Sequence, residues 1–394
     1  MKQPNAPSSI VGWQQTLAKY RRPHHGRSIW QVINTVGPYL ALWVFMVLSY
    51  KVSYWLTLGL VPLAACFLMR SFIIAHDCGH GAFFRSRTAN TIVGTVTSLF
   101  AFTPYDQWRH EHAVHHASGG DLDGRGIGDV WTMTVAEYAR APLRRRFRYR
   151  LHRSPWVMLT IGPLLQFVIL QRFARRPMTR REHVSIWQTN GYIAAVALVM
   201  CLTVGWKVYL LIQLPVMFLA GVLGIWLFYV QHQFEDVQWE RHPDWDFAHG
   251  AVEGSSFYKL PKILQWFSGS IGFHHIHHLS PKIPNYYLER VYKENPMFQN
   301  VKHITLKTSL KSLTFRLWDE EQRKLVGYRA VAEYRKRHGL DRQSAAASQA
   351  STKPQKKSAA DGRCAFCFSA VGWRYFSSTI LRDASVALVC MRAK

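Results

Sequence analysis

Acidic residues are scarce in this chain. Its 394 residues carry 23 Asp and Glu against 49 Lys and Arg, a formal net charge of +26. Such a balance suits one of two anionic partners, nucleic acid or a lipid surface. No nucleic-acid-binding module and no aromatic-basic motif is present, which argues against the first. Cysteine is sparse too. Six residues form no disulfide framework, and nothing requires an oxidising compartment. Cys364 and Cys367 make a lone C-x2-C without the second pair that zinc or an iron–sulfur cluster needs. The first 30 residues hold Lys19, Arg21, Arg22 and Arg27 but no apolar core and no small-residue cleavage site. Residues 1–31 therefore read as a cytosolic leader and not as a secretory signal.

Long apolar runs are abundant. The chain is 48% apolar while its mean hydropathy is near zero, so apolar blocks alternate with basic ones. Val32–Ser49, Tyr54–Ala75, Ile186–Val204 and Val208–Val230 each approach the roughly 20 residues that cross a bilayer core. Arg70, Asn190 and Gln213 interrupt these runs and are expected to face protein rather than lipid. The spans pair as hairpins with Lys51 and Lys207 at their turns. Most other basic residues crowd the leader, residues 85–181 and the region after Gln231. By the positive-inside rule those segments are cytoplasmic, both termini included. Thr91–Phe102 and Val157–Leu170 are short for a crossing and fit re-entrant or interfacial segments. A basic cytoplasmic face, with runs such as residues 144–148 and 180–181, suits anionic membrane lipid or an acidic protein.

Histidine supplies the chemistry. His76/His80 are spaced H-x3-H; His112/His115/His116 and His274/His277/His278 are both spaced H-x2-H-H. Residues three and four apart share a helix face, so each cluster presents its imidazoles in one direction. All three follow or precede spans on the cytoplasmic side. An even number of crossings between them is needed for one shared site, which favours four spans. Eight imidazoles exceed what one first-row ion takes, so two metals in one site is the natural reading.

Imidazole suits Zn, Cu, Fe and Ni alike. Zinc hydrolysis fails on spacing: in His110-Glu111-His112-Ala113-Val114-His115, Val114 stands where H-E-x-x-H requires its second histidine. Copper electron transfer would want grouped Cys and Met, and a transporter would place its ligands at the membrane midplane. Two irons that activate O2 against an apolar, membrane-fed substrate remain.

His76-Asp77-Cys78-Gly79-His80-Gly81, Trp108-Arg109-x2-His112-x2-His115-His116 and Gly272-Phe273-His274-x2-His277-His278 resemble the three histidine boxes of the membrane fatty acid desaturases. Pro284-Asn285-Tyr286 and Gln231-His232-Gln233-Phe234-Glu235-Asp236 are similar to the bacterial branch resembling Δ12 (omega-6) acyl desaturases. The resemblance spans roughly Tyr39 to Gly327. It implies an all-α integral membrane fold, four transmembrane helices in two hairpins under a cytosolic helical cap that carries a di-iron site. The metal ligands it implies are His76, His80, His112, His115, His116, His274, His277 and His278, with His232 as a ninth. His110 and His275 fall off the motif and are assigned second-layer or surface roles. Asp77, Asp106, Glu111, Glu235 and Asp236 are candidates to hold ligand imidazoles in one tautomer.

The implied reaction is O2-dependent removal of two hydrogens from adjacent carbons of a long fatty acid or acyl-lipid chain by two Fe ions. No fused cytochrome b5 module and no flavin or nicotinamide fingerprint is visible, so a separate donor, of ferredoxin or cytochrome b5 type, must supply electrons. The location expected is an integral membrane one, the cell inner membrane in a bacterium. A hydroxylase or ketolase on the same scaffold, and a non-enzymatic membrane metal-binding protein, are the alternatives. By domain, 1–31 is the leader, 32–327 the membrane catalytic domain, and 328–394 a basic, partly disordered tail. Within that tail, 343–360 reads as a flexible linker.

Overall fold

The computed structural model describes residues 12–340; the linker and the C-x2-C noted above lie outside the described residues. Four helices are long and apolar enough to cross a membrane, and among the described residues they are the only ones. The first two are α1 (His25–Tyr50) and α2 (Tyr54–Gly79), followed by two shorter helices that are not spans, α3 (Arg87–Phe100) and α4 (Tyr105–Ala117). Beyond them lie α5 (Arg180–Thr203) and α6 (Trp206–His232), then two cap helices, α7 (His274–Leu279) and α8 (Asn285–Glu294). Apart from Val204, the four spans contain the runs read from sequence and extend past them at the basic ends, back to His25 and Arg180 at the starts of α1 and α5 and on to Gly79 and His232 at the ends of α2 and α6.

Local chemistry sets the helix starts. Ser53 Oγ accepts from the Trp55 amide at the head of α2, and Ser86 Oγ accepts from the Ala89 amide at the head of α3. Thr179 and Glu182 form a capping box for α5. The α5–α6 turn is closed by Gly205 at φ 88°, a left-handed conformation that a residue with a Cβ adopts only under strain.

Helix α2 is the central post. It packs against α1, α3 and α6, and 61% of its most apolar window is buried, against 22% for α1 and 17% for α5. Tyr39, Leu42 and Met46 meet Val61, Ala64, Ala65 and Leu68, closed off by Ile212, Val216, Met217 and Ala220. The outward faces keep large apolar side chains exposed, among them Phe45, Trp55, Leu198 and Leu202, which only a hydrocarbon surrounding tolerates over such an area. The polar interruptions turn inward. Arg70 is buried, donates to Thr35 Oγ1 at 3.1 Å and to the Trp266 carbonyl, and lies 3.8 Å above the Trp266 ring. Asn190 exchanges two hydrogen bonds with Arg172.

The two shorter apolar stretches do not cross. α3 has 14 residues, about 21 Å of helix, too short for a ~30 Å core. It presses Gly94 onto Tyr105, where a Cβ would fall 2.4 Å from the ring. Residues 157–170 break into short α, π and 3-10 turns that pack beside α6. Over the histidine end of the bundle lies a cap of short helices. Small strands staple it: Met133–Thr134 pairs with Leu317–Asp319, which pairs with Lys324–Val326, and Phe257–Tyr258 pairs with His303–Ile304. The protein is thus a helical integral membrane protein with a histidine-rich end.

Candidate metal centre

The two hairpin turns lie at one end of the bundle, and His76 in the last turn of α2 and His232 at the end of α6 lie at the other. α4 supplies His112, His115 and His116, and α7 supplies His274, His277 and His278. The fold converges all nine into two groups. His76, His80, His112, His116 and His277 form one; His115, His232, His274 and His278 form the other. Within each group the nitrogens that can serve as ligands lie within 4.8 Å of one another. The groups abut: the His116 and His278 rings stack with centroids 4.1 Å apart.

The nitrogens meet in a way that hydrogen bonds do not explain. His115 Nε2 and His232 Nε2 are 3.1 Å apart. Asp129 receives the Nδ1 hydrogen of His115, and the Gly254 carbonyl, at 3.3 Å, receives that of His232. A neutral imidazole with its hydrogen on Nδ1 has only a lone pair on Nε2. Two lone pairs therefore face each other, an arrangement a cation between them would relieve. The same spacing recurs from His232 to His274 at 2.9 Å, and from His274 to His278 at 3.1 Å. In the five-ring group it recurs from His112 to His116 and from His116 to His277, both 3.1 Å. Two nitrogens at right angles on one ion, with bonds of about 2.1 Å, would sit about 3.0 Å apart. His80 Nε2 is buried without a partner. The residues fit two metal ions with all-nitrogen donor sets.

Burial keeps six of the rings neutral, as ligands must be. His112, His116, His277 and His80 are held well below the ordinary histidine value, first by burial and then by neighbouring histidines. His274 and His278 are depressed for the same reasons.

Of the five carboxylates considered from sequence, Asp77 reaches a site ring, His76 Nδ1, at 3.1 Å. Its other oxygen accepts from the Asn285 amide at 2.7 Å and from Asn285 Nδ2 at 2.9 Å, and Gln31 in turn holds Asn285. Asp106 pairs with Arg181, Glu111 with Arg176, and Glu235 and Asp236 with Lys311 and Lys302. Sequence reasoning missed Asp129. No spacing marked it, because it reaches His115 through a loop that only the fold brings back: Gly128, at φ 76°, passes so close to α4 that a Cβ would lie 2.5 Å from the Glu111 carbonyl. His110 is exposed. His275 is buried outside both groups, its Nε2 on the Phe298 carbonyl at 3.0 Å, and burial pushes it down to about 4.

Toward the membrane the floor of the centre is aromatic. Phe228 packs against His115 and His232, Trp108 stacks on His112, and Phe72 packs on Trp108. The floor is therefore apolar.

Comparison with known proteins agrees. The fatty acid desaturase family model matches residues 53–303. The chain is 48% identical over 315 residues to a fatty acid desaturase of Bacillus subtilis (strain 168), covering 80% of this chain and 90% of that one. It is 26% identical to an sn-1 acyl-lipid omega-3 desaturase (ferredoxin) of Nostoc sp. (strain 36), over 65% of this chain and 69% of that one. It is 27% identical to an sn-1 oleoyl-lipid 12-desaturase of Synechocystis sp., over 58% of this chain and 66% of that one.

Proposed function

The chain belongs to the fatty acid desaturase family, and from that premise we propose that it desaturates long acyl chains of membrane lipid at a centre of two irons. The nine histidines of the two groups would hold the ions, one group to each. The observation that carries this reading is the pair of abutting all-nitrogen groups over an aromatic floor. Two bound irons would supply the O2 activation that breaks an unactivated C–H bond. The balance is –CH2–CH2– + O2 + 2e⁻ + 2H⁺ giving –CH=CH– + 2H2O. Two electrons come from the substrate and two from a separate one-electron carrier of ferredoxin or cytochrome b5 type. The ferredoxin in the Nostoc relative's name supports a carrier of that kind.

The chain's own residues do the rest. Asp77, Asp129 and the Gly254 carbonyl fix the tautomers of His76, His115 and His232, so that Nε2 faces inward. Asn285 and Gln31 hold Asp77 in turn. Phe72, Trp108 and Phe228 keep the substrate side dry. The Pro284–Tyr286 motif and the 12-desaturase relative support a Δ12 (omega-6) position. The basic leader and loops support a cytoplasmic active site with both termini on that side, in the inner membrane of a bacterium. The catalytic domain is 32–327. Truncation after Asp341, outside that domain, is expected to leave product formation intact.

Expression in a host of known lipid composition, followed by gas chromatography–mass spectrometry of its fatty acids, tests the reading. A new diene is expected, lost in His116→Ala and His277→Ala. A hydroxylated product would move the chain to the hydroxylase alternative. An unchanged profile with tight stoichiometric zinc would overturn the reading.

A further inference from the structure

The surface beside His80 is strongly cationic, and four of its charges make no ion pair among the described residues. Arg21, Arg22 and Arg85 line a depression of about 420 Å³ walled by Pro23, Gly81 and Phe84. Lys282 adds an ammonium 3.5 Å from where a Cβ on Gly81 would sit. Its proton affinity is pushed below the usual lysine range, first by partial burial and then by the guanidiniums of Arg87 and Arg109. The field of Lys282 and Arg109 also reaches His80. Several basic residues elsewhere do find carboxylates: Arg176, Arg241, Lys262 and Arg323 are all ion-paired. Arg22, Arg85, Arg87 and Lys282 make no ion pair among the described residues. Like charges gathered without counter-charge repel, and such a cluster suits an anionic partner.

We propose that this rim around Gly81 is the docking surface of an acidic electron-carrier protein, which delivers one electron per encounter to the site behind His80. The inference rests on the desaturase reading above. Two features favour a protein over a lipid headgroup. First, the free cations come from three separate segments, at Arg22, at Arg85 and Arg87, and at Lys282. Arg22 and Arg85 line the depression while Lys282 lies over Gly81 with Arg87 in its field, and Arg21 is already turned to Ser280 Oγ at 3.0 Å. A rigid acidic face covers such a spread. Second, the rim sits one residue from His80, whose buried Nε2 belongs to the five-ring group. A carrier seated on Gly81 is separated from that ring by one peptide unit and one side chain. Two encounters oxidise two carriers by one electron each, which closes the balance for one double bond.

The test uses the full chain in neutral phosphatidylcholine nanodiscs and a plant-type [2Fe–2S] ferredoxin, with affinity measured at low and high salt. Arg22→Glu with Arg85→Glu is expected to weaken ferredoxin binding at low salt by about ten-fold or more. The control pair Arg144→Glu with Arg145→Glu, on the helix Leu143–His152, should change it less than about two-fold. A ferredoxin with acidic surface residues reversed to lysine should recover affinity for the first variant, which a misfolded variant would not allow. Unchanged ferredoxin affinity, or equal weakening by the control pair, overturns the proposal. So does a rim variant that binds ferredoxin normally but loses phosphatidylglycerol uptake, which would make the rim a headgroup site. The lipid profile reads the desaturase assignment separately. A chain that docks ferredoxin through the rim but forms no unsaturated lipid loses that assignment alone. A chain that forms the lipid with affinity indifferent to the rim loses the docking surface alone.

Discussion

The two histidine groups share α4 and α7, one completed by the end of α2 and the other by the end of α6, yet differ in how they are held. In the four-ring group every ring is buried, and two of them are anchored from behind, His115 by Asp129 and His232 by the Gly254 carbonyl. In the five-ring group His80 and His112 are only partly buried, and one ring has such an anchor, His76 through Asp77. The first is a closed socket with fewer donors, half of them anchored from behind. The second is a more open socket with more donors, backed by a stacked tryptophan and bordered by the cationic rim. A ligand set can be made rigid by anchoring each member or by adding members, and this protein does both side by side. The closed socket should depend steeply on each part, and the open one should spread its losses.

The largest expected effect is at His232. It is the only ring of the four-ring group that comes from a span rather than from α4 or α7. His232→Ala leaves three donors there and five in the neighbour. Metal content should fall from two ions to one per chain, by mass spectrometric metal analysis, and unsaturated product should fall below detection. Retention of two ions would show that the four-ring group tolerates loss, and the contrast between the sockets would fail.

Next come the anchors. Asp129→Ala removes the acceptor that fixes the His115 tautomer, and Asp77→Ala does the same for His76. Loss of such a partner typically weakens metal affinity about 10–100-fold. For Asp129 the loss should fall on the four-ring site alone. For Asp77 it should fall on the five-ring site and be smaller, since four other rings remain, although Asn285 then loses its acceptor too and thermal stability should drop. Competitive chelator titration, resolving two binding steps, measures both. Equal losses at both sites would erase the distinction.

This contrast was only half legible in the sequence. Spacing within a helix is a local property, so His112 with His116 and His274 with His278 could be placed on one face directly. The four spans were legible because run length is local too. The partition into five and four was not, because His115 and His116 are neighbours in sequence but serve opposite groups. Asp129 was invisible for a similar reason. It returns to α4 through a loop whose path depends on Gly128 in a left-handed conformation. The carboxylates nearest the boxes in sequence were mostly claimed by arginines and lysines instead. Strands of two or three residues carry too little alternation to be read, and the cationic rim exists only once three distant segments meet.

Acid should separate the sockets by proton count. His80, His112, His116 and His277 in one group, and His274 and His278 in the other, are held well below 6.5 by burial. In the unfolded chain each would take up a proton near 6.5, so below that pH unfolding binds protons that the folded state refuses. Stability of the metal-free protein is therefore intact above 6.5 and is lost as pH falls, by about 1.4 kcal/mol per pH unit for each such ring. Four of the six belong to the five-ring group, so His80→Phe should reduce the slope by one proton's worth. Melting of metal-free protein in detergent between about pH 7.5 and 5 measures it, within the titration range of an exposed imidazole. A flat profile would mean that the rings are wet, and the closed character of either socket would be lost.

The smallest effect is expected at Trp108, the feature peculiar to the five-ring socket. Its ring lies parallel to His112, 4.6 Å between centroids and 18° between planes. It also fills the space over Gly79, where a Cβ would come within 3.1 Å of it. Trp108→Leu keeps the floor apolar but removes the flat surface against which His112 is held. A stacked pair is worth about 1 kcal/mol beyond its burial, which converts to about five-fold in affinity. That loss should fall on the five-ring step of the chelator titration and leave the four-ring step unmoved. His112 has no partner on Nδ1 comparable to Asp129 or Asp77, so the indole is its main restraint against rotation. If the affinity does not move, four remaining donors suffice to orient the fifth, and redundancy alone explains the open socket. If both steps move together, the stack from His116 to His278 transmits the change, and the two groups behave as one centre rather than as two sockets side by side.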